Sequence, residues 1–170
     1  MPVVTGSWRR WTAGFLILDE SATPNQAALL TEIAHASKRH WGYPESWIRA
    51  WRTPLTVLPE SIATRPTAVA SIDDRIVGFH QLQPLGRSLR LDHLWVLPQW
   101  TRQGVGTVLF RDACHRGASL GWSELRIVSD PNAVGFYERI GAVRTGIERD
   151  LIEGQIRELP VLLVPLDPAR

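Results

Sequence analysis

A chain of 170 residues lies within the size range of one domain and can bury a sizeable core, so a single domain over 1–170 is expected. Its one cysteine, Cys114, excludes an intrachain disulfide and a cysteine-built zinc site, and nothing demands an oxidising compartment. The formal net charge is +2, with 19 basic and 17 acidic residues interspersed rather than clustered, which argues against a nucleic-acid partner.

Residues 14–18 predict a first strand, and Thr23-Pro24 then cap a helix reaching about residue 37, with Leu29, Leu30, Ile33 and Ala34 on its apolar face. Trp41-Gly42-Tyr43-Pro44 breaks that helix, and Pro44 opens a second, short one carrying Trp47, Ile48 and Trp51. Residues 67–71, 75–83 and 88–97 predict three antiparallel strands, turned at Asp73-Asp74 and Gly86. A glycine-bearing turn leads from there into a helix on which Val105, Val108, Leu109 and Ala113 share one apolar face. After a strand at 124–128, Asp130 is a good N-cap and Pro131 stands at the first helical position. Ala133, Phe136, Tyr137 and Ile140 form that helix's apolar stripe, and Gly141 ends it in left-handed geometry. Residues 143–151 and 156–164 close the chain as a hairpin through Glu153-Gly154. No run is long and apolar enough to span a membrane and the N-terminus lacks the zones of a signal peptide, so a cytoplasmic protein with no membrane partner is expected.

The turn before Val105 suits a bound anion. The first turn of a helix has N–H groups with no intrahelical acceptor, and the summed peptide dipoles make that end partly positive. Gly104 and Gly106 carry no Cβ, so a pyrophosphate can approach the main chain closely. A tight strand-to-helix turn without a ligand would show the same two glycines. The dinucleotide-binding pattern needs a third glycine where this chain has Leu109, and the Gly-Lys-Ser/Thr ending of the nucleoside-triphosphate loop is absent.

Two motifs together resemble the GNAT-type N-acetyltransferases. Val96-Leu97-Pro98 followed by Gly104-Val105-Gly106 matches the family's central motif, and Ala133-Val134-Gly135-Phe136-Tyr137-Glu138-Arg139-Ile140-Gly141-Ala142 matches its second, in the right order and at a normal separation. Thr101 stands where the family usually has Arg or Gln, and Asp130 at the usual Asn, with Asn132 two residues on. The resemblance extends over nearly the whole chain. It implies a mixed α/β (α+β) acyl-CoA N-acyltransferase fold, with a central, mostly antiparallel, twisted sheet of six to seven strands flanked by about four helices.

The resemblance also implies acetyl-CoA as cosubstrate, without a metal. The residues it brings to that cosubstrate are Trp95, Val96, Leu97, Arg102, Gln103, Gly104, Val105, Gly106, Thr107, Asn132, Phe136 and Tyr137. By the same resemblance Tyr137 is the general acid, and the chemistry fits: a phenol of pKa about 10 can protonate a thiolate of pKa about 8.5. For the general base, Asp92 ranks just ahead of His93, because acidic residues near this position act as base, often through water, in related enzymes. The two side chains point to opposite faces of a regular strand, and His93 has the pKa better matched to neutral pH. Glu124 and His80 are reserves. A backbone N–H near Val96 or Leu97 would meet the oxyanion.

Trp41, Tyr43, Trp47 and Trp51 concentrate where the resembled fold places its acceptor helices, and aromatic walls suit an apolar or cationic amine. Aromatic residues at helical spacing can equally be core. The leading expectation is transfer of acetyl from acetyl-CoA to a primary amine of a small molecule, with a homodimer left open. The alternatives are acetylation of a protein N-terminus or lysine, and a non-catalytic acyl-CoA-binding regulatory protein. No metal is expected, since His35, His40, His80, His93 and His115 show no ligand spacing, and a serine hydrolase would need a Gly-x-Ser-x-Gly elbow.

Overall fold

Apolar strands covered on both faces by apolar helix stripes build three layers in the computed structural model, which describes residues 8–11, 14–19 and 21–167. The sheet contains β1 (Trp8–Trp11), β2 (Gly14–Asp19), β3 (Thr67–Ile72), β4 (Arg75–Leu85), β5 (Ser88–Val96), β6 (Glu124–Val128), β7 (Val143–Ile152) and β8 (Gln155–Pro165). Their order is β1-β2-β3-β4-β5-β6-β8-β7, antiparallel throughout except for the β5–β6 pair. The helices are α1 (Ala27–His40), α2 (Glu45–Ala50), α3 (Pro59–Thr64), α4 (Val105–Ser119) and α5 (Val134–Arg139).

This is the mixed α/β fold expected, with differences in its parts. Among the described residues the sheet has eight strands rather than six or seven, the addition being the short β1, and five helices rather than about four. The unexpected helix is α3, started by Pro59 and Glu60 in its first turn and stopped by Arg65, whose extended backbone leads into Pro66. Helix α5 begins at Val134, not Pro131. Asp130 Oδ1 accepts the Asn132 N–H at 2.9 Å, so residues 130–133 form a turn ahead of the helix. No helix among the described residues is long and apolar enough to cross a membrane.

Alternation along β3 shows how the core divides. Ala68 and Ala70 face Val105 and Leu109 of α4, while Val69 packs with Leu30, Ile33 and Phe79 beneath α1. Two irregularities then open the middle of the sheet. Parallel pairing of β5 with β6 stops after Leu89↔Leu125 and Arg90↔Arg126, so the strands part from there on. On the other side of β5, Gln81 pairs with His93 but Leu82 with Leu91, leaving Asp92 as the extra residue of a bulge.

A buried polar pair links sheet to helix on the α4 face. His80, fully buried, has Nε2 2.6 Å from Asp112 Oδ2, which also accepts from Arg116 Nε at 2.8 Å. Burial lowers the His80 pKa, and it does so against the pull of Asp112. The unfolded chain takes up a proton near pH 6.5 that the folded state withholds, so stability is full above that value and falls as the pH drops through it. Melting temperature is therefore expected to decline between about pH 7.5 and 5.5, and less steeply in a His80→Gln variant; an unchanged slope would rule this origin out.

Candidate active site

The parting of β5 and β6 creates a cavity of about 740 Å³. Its walls are Leu91, Asp92, Leu94, Trp95 and Val96 of β5, residues 127–130 at the end of β6, the first turn of α4, Phe136 and Tyr137 of α5, and Ser37, His40 and Trp41 from the end of α1. Ser37 Oγ lies 2.7 Å from the carbonyl oxygens of Ile33 and Val96, which ties α1 to the end of β5.

At one end of the cavity, Gly104 takes a φ of 83° and starts α4 with no side-chain cap. The N–H groups of that first turn are thus left for a ligand, and Arg102, Gly104, Gly106 and Thr107 all line the cavity. A Cβ on Gly106 would meet the Phe136 ring at 3.4 Å, an ordinary contact distance, so α4 and α5 approach closely here. Leu97, Gln103 and Val105 are not brought into the lining. Leu97 packs on the α1 face, Gln103 Nε2 donates to the Gln99 carbonyl at 2.9 Å, and Val105 is fully buried on the sheet. Asn132 does reach the lining.

Tyr137 is 7% exposed, its ring set against Phe110 and Phe136. Burial pushes its phenol above the ordinary tyrosine value, and the charge of Asp130 adds to the rise. The hydroxyl is therefore protonated at neutral pH.

Asp92 and His93 separate. At the bulge, Asp92 lines the cavity and its Oδ2 accepts from Arg65 at 3.0 Å, with Arg90 Nε 3.9 Å from Oδ1. Gln83, with its amide turned to satisfy both neighbours, donates to Asp92 Oδ1 at 3.2 Å and accepts from Arg65 at 3.1 Å. His93 is buried against Phe79, outside the cavity lining. Its Nδ1 accepts the Trp95 indole N–H at 3.0 Å, which leaves the ring proton of the neutral form on Nε2. Burial lowers its pKa, so the ring is neutral yet has no lone pair to spare. Of the reserves, His80 lies under α4 and Glu124 is exposed at the start of β6.

Of the four aromatic residues, only Trp41 is in the cavity lining, 5.9 Å from Trp95. Tyr43, Trp47 and Trp51 stack instead around two of the chain's own cations. Lys38 Nζ lies 4.0 Å from the Trp51 ring centre, and the Arg157 guanidinium 4.7 Å from it. Both cations pair with Asp130 Oδ2, while Asp130 Oδ1 accepts from the Tyr43 hydroxyl at 2.8 Å. In the sequence Asp130 reads as a helix cap and as a departure from the family's usual Asn. Its larger role joins residues 92 and 27 positions away and leaves no local pattern.

The family model for the GNAT acetyltransferase domain matches residues 50–160, and the chain belongs to that family of acyltransferases. Among solved structures, a GCN5-related N-acetyltransferase from Rhodopseudomonas palustris is 23% identical with a TM-score of 0.76, over 88% of this chain and 94% of that one. PaiA N-acetyltransferase from Thermoplasma acidophilum, solved in complex with coenzyme A, is 20% identical with a TM-score of 0.71, over 88% and 98%. Ribosomal-protein-S18-alanine N-acetyltransferase from Escherichia coli is 17% identical with a TM-score of 0.64, over 89% and 94%. These likenesses are of fold. No curated protein matches the sequence.

Proposed function

We propose that this chain transfers the acetyl group of acetyl-CoA to a primary amine of a small molecule. The observation that carries this reading is the cleft itself: uncapped helix amides at one end and a buried, protonated tyrosine farther in. The N–H groups of Val105, Gly106 and Thr107, with Arg102, suit a diphosphate. The edge of β5 from Leu91 to Val96, released from β6, offers main-chain groups to an amide-bearing arm. Fold neighbours from Thermoplasma acidophilum and Elizabethkingia anophelis were solved with coenzyme A and acetyl-CoA respectively, which supports the assignment.

The thioester supplies an already activated acyl carbon. Within that cleft Asp92 accepts the proton lost by the attacking amine, directly or through a water. A new N–C bond replaces the C–S bond, and Tyr137 gives its hydroxyl proton to the departing sulfur. Arg65 and Gln83 fix the Asp92 carboxylate in place. Trp41 is the aromatic residue assigned to the acceptor wall.

Calorimetry with coenzyme A and a free-thiol assay with acetyl-CoA over an amine panel test the reading. Saturable heat, with thiol release matched by N-acetylated product, is the expected result. Heat without release would leave an acyl-CoA-binding protein, and no heat on folded material would overturn the site.

A further inference from the structure

The charges around the two carboxylates of the cleft are unequal, and the difference bears on the acceptor. At Asp130 the account closes: Lys38 and Arg157 face Asp130 and also Asp150, which pairs in register with Arg157 and acts on Lys38. Around Asp92 it does not. Arg65 and Arg90 share this one carboxylate, and the third neighbour, His93, is neutral. Arg126, beside Arg90 in the sheet register, pairs with Glu148 and so cancels nothing here. The Arg90 Nε–H is buried with no hydrogen-bond acceptor, although the rest of the side chain is 37% exposed. That Nε is out of a ligand's reach, but the terminal nitrogens of the same guanidinium are not buried and can give a carboxylate charge-assisted bonds.

We propose that the acceptor is an amine that itself carries a carboxylate, of the amino-acid type. Its amine meets Asp92 in the cleft, while its carboxylate reaches past the cavity lining to the Arg65 and Arg90 guanidiniums that flank Asp92. This rests on the acetyl-transfer reading above and narrows its substrate. The uncancelled positive charge repels the second cation of a diamine or a basic peptide, whereas a zwitterion presents one charge to each pole. Discrimination should be strong, because an acceptor without a carboxylate leaves the excess charge unanswered.

The experiment measures thiol release from acetyl-CoA with α-amino acids, their methyl esters, and aliphatic diamines, for the native chain and an Arg90→Met variant. In the native chain the free acids should show kcat/KM about tenfold or more above the esters. In Arg90→Met that ratio should collapse toward one through acceptor KM, with acetyl-CoA KM unmoved. Esters or diamines that match the acids while thiol is released would overturn the carboxylate proposal and leave acetyl transfer standing. A ratio that survives in Arg90→Met would overturn the assignment to this guanidinium. No release with any amine would instead strike down the transfer reading itself.

Discussion

A Tyr137→Phe variant should lose about 10²- to 10³-fold in kcat, the range expected when a positioned general acid is removed. The KM for acetyl-CoA should stay within about twofold, since uniform binding loses only a hydroxyl. The ring is packed against Phe110 and Phe136, and phenylalanine keeps those contacts, so the melting temperature should hold. Because burial lifts the phenol above its ordinary value, the native enzyme should keep its acid protonated well past neutrality. Any loss of rate near pH 7 must then come from the base side of the reaction. Full turnover in a variant that melts like the native chain would remove Tyr137 from the chemistry.

Asp130→Ala should cost about 3–5 kcal/mol of stability, the penalty for stripping one partner from a buried ion cluster. It leaves Lys38 and Arg157, each side chain 8% exposed, facing one another with their shared carboxylate gone. At roughly 2–4 °C per kcal/mol for a chain of this size, the melting temperature should fall by on the order of 10 °C. By contrast, Arg39 and Glu45 pair at the surface with side chains 62% and 57% exposed, and Glu45→Ala should barely register. Burial alone would raise the Asp130 pKa, but the Lys38 ammonium and the donors from Asn132 and Tyr43 outweigh it and hold the carboxyl below its ordinary value. The stability this gives is present above about pH 4 and is lost as the pH falls through the lower, folded value. Acid unfolding through Asp130 is thus separable from the milder decline that His80 brings nearer pH 6. A melt within two or three degrees of native (about 1 kcal/mol) would mean that water reaches the cluster and screens it.

The fold was legible because its strands and two longer helices carry strong periodicity. Val105, Val108, Leu109 and Ala113 mark the inner face of α4, and the predicted strand at 124–128 coincides with β6. What escaped was short: β1 has four residues and α3 six, too few for a period to show. In the site, the glycine turn at Gly104 leaves a local pattern, whereas Tyr137 stands out only through the family resemblance, its place in the helix stripe fitting a core residue equally well. The bulge at Asp92 was not readable, since an extra residue in a ladder is defined by its partner strand and not by its own sequence. Nor could spacing reveal that Tyr43, Trp47 and Trp51 enclose Lys38 and Arg157. Their repeat of four fits a helix face, and the cations that fill it come from α1 and β8.

The cleft has two banks, only one of which falls within the stretch matched by the family model. One side is built from β5, β6, α4 and α5, all inside the stretch the family model matches. Opposite them, Ser37, His40 and Trp41 belong to a helix and its end that precede that stretch. Such a layout lets one bank drift while the other stays put. Exchange of that single amphipathic segment would remodel one wall of the cleft and leave the wall within the matched stretch untouched.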